Sequence, residues 1–332
     1  MLLFCKKKYI FASVVRFINK THIAMKKILI SLLAVFCACS LYAQNSDLVK
    51  YERHWKKNVE KVRVMSYNIF NGFGWGEDLE REDRFVEWIK QQDPEILGME
   101  ELCTFDLPKL KKLAARYGHP YAEIVIADGY PVGVTSKKPI VLKHKIEKDC
   151  GHGLVHVQTY GFDILVTHLN PSSTVKRQQE AAKISKYISD NNLDNCILMG
   201  DLNSHSPYDA DYLESHSYEL LAKYGGNGSS NLLDGQFDYS VIAHFLSVPL
   251  IDICRKYVTP DKRTSFPTPI LMGQSRHPEY RDKSNERLDY LLLSPKVARL
   301  AVDAFIFNEG PTEYLSDHYP IAVDLILDHN QK

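Results

Sequence analysis

The sequence predicts an α/β fold built as one large body. Two observations carry this. From residue 62 onward, short apolar strand-like runs alternate with segments whose apolar residues recur at helical spacing. Of the 332 residues, 45% are hydrophobic, which supports an ample core. No internal repeat and no Pro/Ser-rich linker divides residues 62–332, so they read as one domain.

The elements follow in order. Val62-Arg-Val-Met-Ser-Tyr-Asn68 reads as a strand. Glu82 to Gln91 carries Phe85, Trp88 and Ile89 at helical spacing, and Asp93-Pro94 ends that helix. Ile96-Leu-Gly-Met99 is a short buried run that delivers Glu100. A second amphipathic helix covers 106–117, and strand-like runs recur near 121–127, 131–135, 140–147, 153–159 and 162–168. A helix near 174–190 holds Ile184, Tyr187 and Ile188 on one stripe, and Ile197-Leu-Met199 is the next buried strand. Residues 204–247, which include Gly225-Gly-Asn-Gly-Ser-Ser230, read as an irregular, partly helical excursion. Residues 258–286, with four prolines, read likewise. Both follow strand ends that bear polar residues, so both are expected to wall a pocket. Strands resume at 288–293, 300–307 and 320–327.

Charge is unevenly spread. Lys plus Arg and Asp plus Glu each total 41. Residues 1–43 hold seven basic residues and no acid, which leaves 34 basic against 41 acidic residues, a net charge of −7, in the rest. Such a body offers no broad basic face for nucleic acid. Met25-Lys-Lys27, the 12-residue, largely apolar stretch from Ile28 to Cys39, and Leu41-Tyr-Ala43 together resemble a removable export signal, too short to span a bilayer comfortably. The competing readings are a membrane anchor or a buried first helix. The expected organisation is therefore a leader and signal peptide at 1–43 starting at Met25, a lead-in at 44–61, and the body at 62–332. The expected location is periplasmic, cell-surface or secreted. Of the body's cysteines, Cys103, Cys150, Cys196 and Cys254, none forms a C-x-x-C pair, so a zinc knuckle is not supported. An exported chain could pair them, while Cys196 in Cys-Ile-Leu-Met199 reads as an inert core thiol.

The polar residues at strand ends carry the chemistry. Glu100 can supply a hard oxygen ligand to Mg²⁺ or Mn²⁺, or serve as a helix N-terminal acid. Asn68 can orient a phosphoryl oxygen or support a metal, or simply form a turn with Asn71-Gly72. His168, leaving the run Ile164–Thr167, can donate to a phosphate oxygen or protonate a leaving group. Asn170 lies two residues on and can share its direction. Asp201 and Asn203, at strand spacing, can position a water and a phosphoryl oxygen, or close an Asx turn. Asp289 interrupts an apolar strand and needs a partner. A histidine or amide of the site is a better candidate for that partner than Arg287. Asp317-His318 adds an oriented histidine, whose ring a carboxylate elsewhere in the chain is expected to hold.

Taken as an ordered set, Ser66-Tyr-Asn-Ile69, Gly200-Asp-Leu-Asn203, Arg287-Leu-Asp-Tyr290 and Ser316-Asp-His-Tyr-Pro-Ile321 resemble the endonuclease/exonuclease/phosphatase superfamily. These metal-dependent phosphoesterases include pancreatic deoxyribonuclease, apurinic endonucleases, deadenylases, bacterial sphingomyelinases and inositol-polyphosphate phosphatases. The resemblance runs from about residue 62 to 327. Thr167-His168-Leu169 looks like the histidine-bearing branch, and Gly133–Ile140 resembles a segment many members carry between strands. Two positions depart from the pattern. The amide that usually precedes the acid is Met99, and the acid some nucleases carry two residues after the strand Asn is Phe70.

The resemblance implies a four-layer α/β sandwich: two packed mixed sheets flanked by helices, with the site where strand termini meet. It implies a divalent ion, Mg²⁺ or Mn²⁺, on Glu100 with Asn68 and Asp317 nearby. Asp201 with Asn203 would orient or deprotonate the attacking water, His168 and His318 would stabilise the transition state, and Asp289 would hold a histidine. The choice of base between His318 and Asp201 stays open. The expected partner is a phosphate-ester substrate, and the chain is expected to be a monomer. Nucleic acid is one option and a lipid headgroup or small phosphodiester another. Phe73 and Trp75 are the candidates for membrane contact. The alternative activity is a phosphomonoesterase gripping extra phosphates with Arg263, Arg276, Arg281 and Arg287. The weakest alternative is an inactive binding protein on the same scaffold.

Overall fold

The computed structural model describes residues 59–127, 129–224, 231–271 and 285–328. The expected signal peptide, the start at Met25, the lead-in to residue 58, Gly225–Ser230, Arg276 and Arg281 lie outside the described residues. The chain divides into two compact units, Met1–Val59 with Asp328–Lys332, and Glu60–Leu327. The described residues of the first are two strand termini, Val59 and Asp328; everything below concerns the second.

Along the chain, β1 (Val59–Asn68) leads through a turn at Phe70–Gly76 to α1 (Leu79–Gln92), β2 (Ile96–Glu100), α2 (Leu107–Arg116), β3 (Tyr121–Val125) and β4 (Val132–Ser136). Next come β5 (Val141–Ile146), β6 (Leu154–Thr159), β7 (Phe162–Thr167), α3 (Thr174–Asp190) and β8 (Cys196–Asp201). The first excursion holds α4 (Ala210–Ser215), α5 (Ser217–Tyr224), a small hairpin of β9 (Leu232–Leu233) and β10 (Gln236–Phe237), and α6 (Ser240–Ser247). After it follow β11 (Ile251–Asp252), α7 (Ile253–Tyr257), β12 (Asp289–Leu293), α8 (Pro295–Ala298), β13 (Ala301–Ile306) and β14 (Ile321–Asp328). Two six-stranded sheets result, ordered β13-β14-β1-β2-β4-β3 and β11-β12-β8-β7-β6-β5. Each contains a central parallel pair, β1 with β2 and β7 with β8, beside antiparallel neighbours.

Alternation along the strands builds the layers. In β1, Val62 and Val64 enter a core shared with Val155, Val166, Ile197, Met199 and Leu291 of the other sheet. Met65 and Tyr67, of opposite parity, pack instead with Phe85 and Trp88 of α1 and Leu110 of α2. The second sheet repeats the scheme: Leu165, Leu198 and Leu292 face Ala181 and Ile184 of α3 and Val241 and Phe245 of α6. Each such buried aliphatic or aromatic side chain contributes roughly 1.5–3 kcal/mol. The outcome is the expected four-layer sandwich, with helices outside two facing mixed sheets.

The helices start where their caps are. The Asp78 carboxylate accepts from Arg81 N at 3.0 Å before α1, and Ser173 caps α3 through Lys176 N. Phe70–Gly76 is not an ordinary turn. Its seven residues run consecutively at positive φ, from 52° at Phe70 to 86° at Gly76. A left-handed turn costs about 1–2 kcal/mol per non-glycine residue. Arg81, 2% exposed, offsets part of this by donating to the carbonyls of Ile69, Phe70 and Leu315 at 2.9–3.0 Å. Phe73, 0% exposed, anchors the turn against Phe85 and Phe105. The expectation that Phe73 is available to a membrane is therefore corrected: its ring is core.

Candidate active site

Register places the site. Asn68 is the β-partner of Glu100, and Asp289 is the partner of Asp201, so four polar side chains finish neighbouring strands at one end of the sheets. His168 follows β7, parallel to β8, and His318 precedes β14. Gly200 permits the close approach of β8 to β7. It sits at φ +141°, and a Cβ there would lie 1.8 Å from the Thr167 carbonyl oxygen.

Asp201 is the hub. It is 1% exposed. Its Oδ1 accepts from Asn203 N at 2.9 Å, and its Oδ2 accepts from Asn68 Nδ2 at 3.1 Å. The same Oδ2 lies 3.4 Å from His168 Nε2 and 3.5 Å from His318 Nε2. Burial pushes its pKa up to about 7, against the pull of His318. On the far side of the His318 ring, Nδ1 donates to Asp289 Oδ2 at 2.8 Å. Burial works against the charged ring, but Asp289 and Asp201 together outweigh it and raise the His318 pKa well above its ordinary value. His168 goes the other way. Burial, then repulsion from His152 and His318, holds it neutral, and its Nδ1 has no hydrogen-bond partner among the described residues.

Glu100 is 0% exposed. Ser66 Oγ donates to its Oε1 at 2.8 Å, while Oε2 is buried with no hydrogen-bond partner among the described residues. Desolvation, with Asp289 and Asp201 nearby, drives its pKa well up. Such a carboxylate is costly without a counter-charge, and its oxygen is the hard donor that a divalent cation takes. The site therefore fits a divalent metal at Glu100. Asp317, its pKa pushed to about 7 by burial, is a second acid of the site. Asp201, Asp289 and His318 also offer donor atoms within 4.8 Å of one another. In that trio His318 already bonds Asp289 through Nδ1 and forms an ion pair with Asp201, whereas Glu100 Oε2 has no partner among the described residues, so Glu100 is the better metal ligand.

A cleft of about 460 Å³ opens over Asp201 and His318, and Glu100, Asp289 and Asp317 do not line it. His168, Asp201, Asn203, Asn170 and His318 all line it. Asn170 Oδ1 is spent on the N–H groups of Ser172 and Ser173, and Asn203 Nδ2 on the Leu169 carbonyl. The Asx turn and the site thus coexist at Asp201-Leu-Asn203. Arg287 is a correction. It is 2% exposed and turned away from the cleft, with its guanidinium shared between Asp209 and Asp252 at 2.6–2.9 Å. Arg263 is likewise buried, 3.5 Å from Asp209. The excursions also wall the cleft less than expected. Among the described residues its lining comes from the segments after β1, β2, β3, β5 and β7, from the end of β8 and Asn203 after it, and from His318 before β14, while Phe266 packs its ring 4.7 Å from that of His318.

Several contributors gave little sequence signal. Ser66 supports the acid that lacks its usual neighbouring amide. Glu101, at φ +58°, accepts from Asn68 Nδ2 and Asn71 N. His152, in the loop after β5, sets its ring 4.5 Å from His168. Only the glycines around His152 marked that loop.

Comparison with known proteins agrees with this geometry. The family model described as Endonuclease/Exonuclease/phosphatase family matches residues 65–318. An AP endonuclease from Archaeoglobus fulgidus is similar in structure, with a TM-score of 0.60 and 17% identity over 80% of this chain and 99% of that one. An endonuclease/exonuclease/phosphatase family protein from Bacteroides thetaiotaomicron aligns with a TM-score of 0.52 and 16% identity over 81% of this chain and 99% of that one. No curated protein matches by sequence. At those identities the two structures speak for the fold, and the match over 65–318 settles the rest: the chain belongs to the endonuclease/exonuclease/phosphatase family.

Proposed function

We propose that the chain is an exported, divalent-metal-dependent phosphodiesterase that cleaves a phosphate ester by attack of water. The observation that carries the reading is the meeting of His168 Nε2, His318 Nε2 and Asn68 Nδ2 on one buried oxygen, Asp201 Oδ2, in the same site as Glu100 Oε2, which has no hydrogen-bond partner among the described residues. The export half rests on the Met25–Ala43 pattern alone.

Glu100, with Asn68 and Asp317 alongside, would hold Mg²⁺ or Mn²⁺, which would supply charge neutralisation of the phosphoryl oxygens. The protein's own groups do the rest. Asn203 N fixes Oδ1 of Asp201, and Oδ2, which Asn68, His168 and His318 surround, accepts the proton of the attacking water. His318, clamped between two carboxylates, is held as a cation and donates from Nε2 to the oxygen on which charge builds. His168, neutral, offers a second donor that adds no positive charge beside His318. Asn68 steadies Asp201 against Glu101, the other acid its amide reaches.

The substrate class is a nuclease-like or small phosphodiester, turned over by a monomer. A monoesterase with extra arginine grips is less favoured, because Arg263 and Arg287 are buried beside Asp209. The test is hydrolysis of a panel of phosphodiesters and phosphomonoesters with Mg²⁺ or Mn²⁺, with and without EDTA, beside His168→Ala and His318→Ala. Metal-dependent diester cleavage lost in both variants is the expected result. Cleavage that survives EDTA or both substitutions would sink the reading.

A further inference from the structure

The left-handed turn at Phe70–Gly76 has a geometric consequence outside the reacting groups. Arg81 and Phe73 lock it from below, and Gly72 lies so close to Cys103 that a Cβ would stand 2.1 Å from the Cys103 carbonyl oxygen. The rigid turn projects Trp75 outward, 50% exposed. A large aromatic held in solvent by strained backbone is a position chosen against stability.

Trp75 does not stand alone. Its ring centroid is 5.8 Å from Tyr130, at 68°. Tyr130 lies 4.9 Å from His152, and His152 lies 4.5 Å from His168. His168 in turn faces Asp201. Four rings therefore step from solvent to the hub of the site. Tyr130, His152 and Phe70 line the same cleft as His168.

We infer that Trp75, Tyr130 and His152 form a stacking subsite for the nucleobase of a short, unpaired nucleotide phosphodiester. The inference rests on the phosphodiesterase reading above and narrows its substrate. A base offers a flat π-face on one side of its phosphate, which matches Tyr130 and His152 in the cleft beside the reacting groups and Trp75 packed against Tyr130 outside its lining. The cleft of about 460 Å³ lies within the range usual for small-ligand pockets, roughly 300–1,000 Å³. Two observations argue against other occupants. Exposed Glu77, Asp78 and Glu80 follow Trp75 directly, which disfavours an anionic membrane surface. The net charge of −7 outside residues 1–43, from 34 basic and 41 acidic residues, disfavours a long duplex.

The test uses two diesters with one leaving group, the para-nitrophenyl ester of thymidine monophosphate and methyl para-nitrophenyl phosphate. The readout is the ratio of their kcat/KM values in wild type, Trp75→Ala, Tyr130→Ala and Trp75→Phe, each checked for an unchanged unfolding midpoint. Wild type should prefer the thymidine ester, and each alanine variant should cut that preference by about 5–100-fold, through KM, with Trp75→Phe restoring most of it. A loss shared equally by both esters is a structural effect and overturns the subsite. A second readout needs no turnover: in EDTA, thymidine monophosphate should quench tryptophan fluorescence in wild type and less in Trp75→Phe. If wild type cleaves neither ester, the phosphodiesterase reading fails, and the subsite stands or falls on this quenching. A fluorescence response to phosphatidylcholine vesicles without one to the nucleotide overturns it in favour of a lipid surface.

Discussion

His318 Nδ1 donates to Asp289 Oδ2 at 2.8 Å across a buried contact, and the two residues are 29 apart in sequence. Asp289 stands opposite Asp201 in the antiparallel pairing of β12 with β8. The ring therefore bridges two carboxylates that strand register alone brings together. Its orientation and charge follow from that bridge, because both nitrogens face acceptors. The same bridge ties proton handling to sheet geometry.

Asp289→Asn breaks the bridge with little change in volume. The amide can accept from His318 but no longer stabilises its cation, and the ring loses its fixed charge. Turnover of the best diester should fall by about 10²–10⁴-fold with KM changed much less. Steady-state kinetics check this, with circular dichroism confirming the fold. A variant within threefold of wild type would remove His318 from the mechanism.

Glu100→Gln should raise stability and abolish metal response together. The Glu100 pKa is raised by burial, so the folded state resists its charge. The amide relieves that penalty, and metal-free protein should gain about 1–3 kcal/mol. Wild type should gain melting temperature on adding MgCl₂, and the variant should gain almost none, with turnover down at least about 100-fold. Thermal unfolding with EDTA and with MgCl₂ reads both effects. An equal MgCl₂ shift in the two proteins would place the metal elsewhere.

Much of this was legible before any coordinates. Alternation in Val62–Asn68, the stripe of Ile184 and Ile188, and the apolar run at 288–293 all became the elements they predicted. An acid inside an apolar strand demanded a partner, and Asp289 lies against a histidine. What escaped depends on contacts distant in sequence. Arg287 lies two residues before Asp289 and outside β12, so strand parity does not aim it; it is drawn to Asp209 and Asp252, which come from 78 and 35 residues away. The left-handed turn escaped because periodicity rules assume right-handed backbone, and the residues that pin it, Arg81 and Cys103, are not neighbours in the pattern. His152 escaped because a lone histidine among glycines has no period.

Gly200→Ala should destabilise the protein strongly. The added methyl would meet the backbone oxygen of Thr167 at 1.8 Å, and that oxygen cannot swing aside as a flexible side chain can. The φ of +141° adds strain for any L residue. A loss above about 3 kcal/mol is expected, read from the urea midpoint. Because Gly200 precedes Asp201 and Thr167 precedes His168, the folded fraction should also lose activity beyond the loss of stability. A shift below about 1 kcal/mol would mean that β7 and β8 part more easily than their pairing suggests.

Stability should fall on the acid side partly through His119, a residue of the scaffold. It is 1% exposed, with Nε2 donating to the Pro94 carbonyl and Nδ1 accepting from Thr135 Oγ1, both at 2.8 Å. Burial depresses its pKa from 6.5 to about 4, with the Pro94 bond opposing and Lys137 assisting. The folded state therefore binds fewer protons than the unfolded chain between those two values. Stability falls as pH drops below the unfolded pKa and levels off below about 4. The contribution is on the order of 3 kcal/mol over that window, of which about 2 kcal/mol is lost between pH 7.5 and 5. His119→Gln keeps a donor for Pro94 and cannot titrate, so its stability should fall less over the same interval by about that 2 kcal/mol. Urea unfolding of both proteins at the two pH values makes the comparison, and parallel curves would mean that His119 is charged in the folded state.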